Sequence, residues 1–160
     1  MDQDLAPLIH HFGAVNTQFL AQALEVLDPA QPITFPDTVS VGEAIRCMKE
    51  QKIGCVLLVD ENDKLSGVFS ERDVVSRVIL SGIDLDNVPI SEVMTRNPKT
   101  EQLESSVAFA LQLMSDNGFR HLPITDEEGY PLGIISVKDI LDFIKNEIVT
   151  QLVIKELSPK

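Results

Sequence analysis

Val41, Ala44, Ile45 and Met48 fall at i, i+3, i+4 and i+7, the spacing that lines four apolar side chains along one stripe of a helix. Val107, Ala110, Leu111 and Met114 draw the same stripe further on. Each stripe is followed by a short apolar run, Cys55-Val56-Leu57-Leu58-Val59 or His121-Leu122-Pro123-Ile124. Runs this short and this rich in branched residues predict strands buried on both faces. The polar turns Asp60-Glu61-Asn62-Asp63 and Asp126-Glu127-Glu128-Gly129 come next, then second runs over 65–69 and 132–135, so a hairpin is expected in each place. Ser70 and Ser136 stand where helix N-caps belong, ahead of apolar stripes at Val74, Val75, Val78 and Ile79 and at Ile140, Leu141, Ile144 and Ile148.

The elements come twice because the chain repeats itself. One shift of 98 − 32 = 66 residues carries Pro32 onto Pro98, Thr34 onto Thr100, Val41 onto Val107, Ala44 onto Ala110, Met48 onto Met114, Asp60 onto Asp126, Gly67 onto Gly133, Ser70 onto Ser136 and Asp73 onto Asp139, without a gap. The copies occupy 32–80 and 98–146, each a short extended start followed by helix, strand, strand and helix. One copy buries too little surface to stand alone. The expected fold is therefore α+β, two tandem β-α-β-β-α repeats packed with pseudo-twofold symmetry around a shared core.

Three segments lie outside the copies. Residues 1–31 predict an N-terminal helical extension, because Leu5, Leu8, Ile9, Phe12, Val15, Phe19, Leu20, Ala23, Leu24 and Leu27 keep helical spacing over about six turns before Pro29. Residues 81–97 form a linker with a short helix expected over 90–95. Residues 147–160 continue the last helix through Leu152 toward Leu157 and end in a tail. Both flanking stripes lack the basic face of a membrane-surface helix, so they are expected to pack on the module or on a twin subunit.

Composition narrows the partners. With 44% hydrophobic and 24% charged residues in 160, the chain is a folded globular unit. Its formal charge of 13 − 25 = −12 repels nucleic-acid phosphates and anionic lipid, so neither nucleic acid nor membrane is an expected partner. An anionic ligand would need a local cluster of cations or a helix N-terminus. Cys47 and Cys55 complete neither a disulfide framework nor a zinc pattern and read as buried free thiols. The acidic start Met1-Asp2-Gln3-Asp4 and the lack of an apolar run of about 20 residues point to the cytoplasm. His10 and His11 have no partners at metal-ligand spacing, and neither a nucleophile with its base nor a Walker-type loop is in the sequence. A non-enzyme with no required cofactor is expected.

The chemistry concentrates in a doubled element, Gly67-Val68-Phe69-Ser70-Glu71-Arg72-Asp73 and Gly133-Ile134-Ile135-Ser136-Val137-Lys138-Asp139. Ser-x-x-Asp has two readings. It is a variant capping box in which the acid caps its own helix, or it offers a carboxylate to the two hydroxyls of a cis-diol beside helix N–H groups that favour phosphate. Gly67 and Gly133 either serve a turn or bulge or permit close backbone approach by a ligand. Together with the Pro-x-Thr starts and the linker Ser91-Glu92-Val93-Met94-Thr95-Arg96-Asn97-Pro98, the doubled element resembles the CBS-domain pair, or Bateman module, of the stand-alone bacterial type, over about residues 32–146.

The resemblance implies a ligand-sensing role, with AMP, ADP, ATP or S-adenosylmethionine held as regulatory ligand in clefts between the repeats. Carried over by position, Asp73 and Asp139 would accept from ribose hydroxyls, Ser70 and Ser136 would face ribose and phosphate, and Thr34 and Thr100 would contact the nucleoside. Arg72 and Lys138 would add phosphate contacts. Val39, Ile53 and Val56 in one copy, and Phe119 and Leu122 in the other, would line an adenine slot. Arg120-His121 replaces the Gly54-Cys55 of copy one, and the resemblance assigns this pair to the phosphates at Thr34, Ser70 and Asp73. That leaves the cleft of Thr100, Ser136 and Asp139 without the clamp and expected to be weaker, empty or suited to a less charged ligand; a surface arginine and a satisfied strand histidine are the alternative. A homodimer and an unidentified effector protein are the expected partners. A ligand-free dimerisation module that docks a partner protein is the competing reading, and a redox regulator acting through Cys55 a third.

Overall fold

The computed structural model describes residues 16–157, with side chains described through Ile154. In chain order the elements are β1 (Thr34–Pro36), α1 (Val41–Gln51), β2 (Cys55–Val59), β3 (Leu65–Ser70), α2 (Glu71–Asp73, continued as π-helical turns over Val74–Val78), β4 (Thr95–Arg96), α3 (Val107–Asn117), β5 (His121–Thr125), β6 (Pro131–Ser136) and α4 (Val137–Leu157). A 3-10 turn at Ile90–Glu92 precedes β4, so the short linker helix expected over 90–95 is one turn that gives way to a strand.

The chain folds as two compact units. One comprises Pro29–Leu103 and His121–Ile135; the other takes the described residues up to Asp28, Glu104–Arg120 and the described residues from Ser136.

In the first unit β1 runs parallel to β2, with Phe35 opposite Leu58. β2 and β3 form the expected antiparallel hairpin, Cys55 opposite Ser70 and Leu58 opposite Gly67, with an irregularity at Leu58/Val59. β4 adds to the far edge, Gly67 opposite Arg96. All five β2 residues are buried, as their apolar run predicts. Val41, Ala44 and Met48 of α1 join Val56, Leu58, Phe69, Val78, Ile90, Val93 and Met94 in one core cluster. The start of copy two reproduces the parallel pairing at a single bridge, Glu101 with Ile124; the same shift of 66 relates it to Phe35 and Leu58 (35 + 66 = 101, 58 + 66 = 124).

In the second unit Leu24, Val107, Ala110, Met114 and Ile140 are fully buried, and Phe19 meets Phe143 edge-on with ring centroids 5.8 Å apart. Here the N-terminal stripe departs from expectation. Its part from Leu5 to Val15 lies outside the described residues; from Asn16 onward it is two 3-10 turns, Gln18–Ala21 and Leu24–Leu27, not a continuous helix. Gln22 and Ala23 are extended, with ψ near 150°. The cause is pairing with the lead-in to α3: Val107 donates its N–H to Gln22 O at 3.0 Å, and Leu24 donates to Ser105 O at 2.8 Å. Backbone pairing with a distant segment overrides the helix preference of the local sequence.

The caps repeat with the copies. Ser40 accepts from the Glu43 N–H and Ser106 from the Phe109 N–H, both at 3.2 Å. The C-caps, Lys52 and Gly118, both take the left-handed conformation.

Candidate functional site

Both copies build the start of their last helix in the same way. The Glu71 N–H donates to Gly54 O, and the Val137 N–H donates to Arg120 O, each at 3.0 Å. The pairing of β2 with β3, and of β5 with β6, therefore carries position 54 or 120 to the start of the motif helix, and the shift of 66 relates the two pairs residue for residue.

The motif side chains are placed first as capping boxes. In copy one, Asp73 Oδ2 accepts from the Ser70 N–H at 2.9 Å and from Ser70 Oγ at 2.7 Å. In copy two, Asp139 Oδ2 accepts from the Ser136 N–H and Oγ, both at 2.7 Å, while the Asp139 N–H returns a bond to Ser136 Oγ at 3.2 Å. The remaining oxygens differ. Asp73 is buried, and its Oδ1 takes the Thr95 hydroxyl at 3.4 Å and Arg77 Nε at 3.5 Å. Asp139 is exposed, and among the described residues its Oδ1 accepts no hydrogen bond.

The helices that follow differ as well. α4 is a regular helix of 21 residues, whereas α2 widens into π-helical turns after one turn, with the Ile79 N–H reaching back to Val74 O. Ser76 Oγ donates to Arg72 O at 2.8 Å, a side-chain bond that loosens the helical ladder, in a stretch whose β-branched valines pack poorly against the preceding turn. The wider turn breaks the expected stripe: Val78 is buried, but Val75 and Ile79 face solvent at 66% and 54% exposure. Leu141 of the corresponding copy-two stripe is also exposed, while Ile140 is buried.

The sequence-predicted cations have separate fates. Arg120 is exposed, and its guanidinium makes no ion pair among the described residues. Lys138 turns along α4 to form an ion pair with Asp142, which raises the lysine's pKa and, with Lys145 adding to it, lowers that of Asp142. Arg72 is exposed. His121 is brought to copy one: a Cβ on Gly54 would stand 2.8 Å from its Cε1 and 2.9 Å from its Nε2, with Glu71 Oε2 at 3.8 Å. The imidazole thus fills the space that a side chain at position 54 would claim. Thr34 is exposed on β1, opposite Leu57; Thr100 is half-buried.

Val56 and Leu122 are completely buried, and Val39 and Ile53, half-buried, pack on the core cluster that holds Val56. Both motif glycines meet the protein itself. A Cβ on Gly67 would lie 2.3 Å from Met94 Sδ, and one on Gly133 would lie 2.7 Å from Pro29 Cβ. Cys55, at the head of β2, is pushed up to about 12 by burial first and then by the Asp73 and Glu71 carboxylates, so its thiol is no nucleophile at neutral pH. Cys47, expected buried, is half-buried.

Arg77 is the residue that the sequence reading passed over. Its Nη1 donates to Val93 O at 2.9 Å and Met94 O at 2.6 Å. A signal was available: Arg77 stands four residues after Asp73, the spacing of a helical ion pair, and copy two carries Phe143 at the corresponding place (77 + 66 = 143).

A β-α-β-β-α unit repeated with one Ser-x-x-Asp element at each last helix defines a tandem-repeat module of mixed α+β class. The chain belongs to the CBS domain family, whose pattern matches residues 25–80 and again 90–146. An uncharacterized 17.7 kDa protein of Acidianus ambivalens is 36% identical over 102 residues, covering 64% of this chain and 60% of that protein. A CBS domain-containing protein of Arabidopsis thaliana is 32% identical over 112 residues, covering 70% of this chain but only 20% of the plant protein. The chain thus spans less than two thirds of these relatives. Among solved structures, a CBS-domain containing protein of Agrobacterium tumefaciens superposes with a TM-score of 0.70 at 30% identity, covering 80% of this chain and 97% of that one. The CBS domain pair of protein MJ0100, solved with 5′-methylthioadenosine and S-adenosyl-L-methionine, gives 0.71 at 23% identity over 79% and 98% of the two chains. A CBS domain protein of Pyrobaculum aerophilum complexed with AMP gives 0.69 at 22% over 78% and 98%. Among the described residues no helix is long and apolar enough to cross a membrane.

Proposed function

We propose that this chain is a cytoplasmic, non-catalytic regulatory module that binds an adenosine-containing ligand, AMP, ADP, ATP or S-adenosylmethionine, and conveys its occupancy through assembly state or a partner protein. The observation that carries this reading is the open second motif: an exposed Asp139 with Oδ1 unoccupied among the described residues, at the N-terminus of a 21-residue helix. A ribose presents two vicinal hydroxyl donors, and an ionised carboxylate with vacant lone pairs accepts both. The helix start favours a phosphate, and the exposed Arg120, joined through its carbonyl to the Val137 N–H, supplies a cation in a chain of net charge −12. Ser136 orients the carboxylate. The family resemblance assigns Thr100 to the nucleoside at this motif, and Thr34 and His121 to the motif of Ser70 and Asp73. The ligands of the MJ0100 and Pyrobaculum proteins support the ligand class.

Calorimetric titration of nucleotide-stripped protein with AMP, ADP, ATP and S-adenosylmethionine tests this. Saturable binding by at least one of them is expected, and Asp139→Asn should weaken it about tenfold or more, roughly 1.4 kcal/mol, because the amide keeps a capping acceptor but loses the charge and one acceptor oxygen. Arg120→Met should weaken the phosphate-bearing ligands and spare S-adenosylmethionine. Absence of binding by all four would favour a ligand-free module that docks a partner. That second reading draws on the exposed apolar Val149, Leu152 and Val153 of α4, which also support a homodimer. Light scattering with and without ligand reads the assembly state.

A further inference from the structure

We infer that Asp73 is not a second ribose acceptor but the positioning residue of the segment that joins the copies, and that each chain therefore takes one adenosine-type ligand. The inference rests on the reading that the second motif receives the ligand.

The Asp73 carboxylate is engaged at both oxygens. Its side chain is 9% exposed. Ser70 N–H and Oγ occupy Oδ2 at 2.9 and 2.7 Å, and Thr95 Oγ1 and Arg77 Nε approach Oδ1 at 3.4 and 3.5 Å. An ionised carboxylate accepts about four hydrogen bonds; three come from Ser70 N–H, Ser70 Oγ and Thr95 Oγ1, and the Arg77 guanidinium stands beside Oδ1 as an ion pair. Arg77 extends the arrangement, because its Nη1 holds Val93 O and Met94 O at 2.9 and 2.6 Å. Through one carboxylate, α2 thus grips three consecutive linker residues, Val93 and Met94 by their carbonyls and Thr95 by its hydroxyl. The Met94 side chain then closes over Gly67, where a Cβ would stand only 2.3 Å from its sulfur, and Gly67 and Val68 pair with Arg96 and Thr95 in the sheet.

A ribose diol reaching Oδ1 would have to displace both the threonine hydroxyl and the guanidinium. Stripping a buried carboxylate of its cationic partner is among the costlier single changes a protein can suffer. The charge around the motif points the same way: copy one places Glu71 where copy two has Val137, so a phosphate meets an extra carboxylate at the first motif and none at the second.

The asymmetry is written in the covalent chain. Under the shift of 66, Arg77 becomes Phe143, which packs edge-on against Phe19. Copy two thus has no guanidinium at the place of Arg77, and among the described residues its Asp139 Oδ1 accepts no hydrogen bond.

The test combines binding stoichiometry, measured with AMP and with S-adenosylmethionine, and hydrogen exchange read by mass spectrometry on Arg77→Met and the milder Thr95→Val. The wild-type chain should take one equivalent. Both variants should speed amide exchange over 90–97 by roughly ten- to a hundred-fold, the loss of one charge-assisted bond, with α3 and α4 unchanged. Thr95→Val keeps the test open should Arg77→Met fold poorly. Two equivalents in the wild type, or linker exchange no faster than wild type in either variant, overturns the inference. Failure of both ligands to bind, with linker exchange still raised, sinks the one-ligand claim and the functional reading while leaving Asp73 in its positioning role.

Discussion

Asp73 and Asp139 are the same residue in the same seven-residue element, yet one is buried beside the Thr95 hydroxyl and the Arg77 guanidinium and the other faces solvent. Chemistry legible in the motif alone, capping box or diol acceptor, stayed ambiguous because both uses need the same side chain at the same spacing. The close-approach glycines were legible as a requirement but not as to what approaches. Gly67→Ala is expected to cost about 1–3 kcal/mol, measured by urea denaturation, since the added methyl drives into the sulfur of a buried Met94. Cys55 makes a second residue-level prediction. Iodoacetamide near pH 8 should modify Cys47 well before Cys55, the two becoming alike only in denaturant. The sign of its linkage follows from a folded pKa raised from 9.0 to about 12: the folded state holds a proton that the unfolded state releases, so this contribution to stability is full below pH 9 and is lost as pH rises toward 12.

At the scale of elements, the hairpins and the first helix of each copy match the periodic pattern within a residue or two, because their hydrogen bonds and apolar stripes are local. Two elements do not. The segment after Asn16 trades helix for 3-10 turns where Gln22 and Leu24 pair with the lead-in to α3, and α2 opens into π-helical turns around Ser76. The first depends on partners more than 80 positions away, and the second on a side-chain bond that an apolar stripe does not report. The duplicated caps give an internal control: Lys52 holds φ 55° where Gly118 holds φ 69°, and a side chain costs energy there that glycine does not. Lys52→Gly, copy two's own solution, is expected to raise stability by about 1 kcal/mol, read as a higher urea midpoint at unchanged slope.

For the whole molecule, ligand binding must appear as stabilisation, because whatever binds only the folded state shifts the unfolding equilibrium. At a hundredfold excess over Kd that shift is about 2.7 kcal/mol, or roughly 5–10 °C in Tm for a chain of this size; Asp139→Asn should show little of it at the same concentration. The sequence alone determined the repeat, its register of 66, the order and kind of most elements, the serine caps and the family, since each rests on residues at most a few turns apart or on direct comparison of the two copies. Tertiary structure alone decided which aspartate is buried, that His121 of one copy fills the space at Gly54 of the other, that Arg77 grips the linker, and that the extended Gln22 and Ala23 pair with the start of α3. Those outcomes depend on groups brought together from 16 to more than 80 positions apart, and local propensity carries no record of which distant partner arrives.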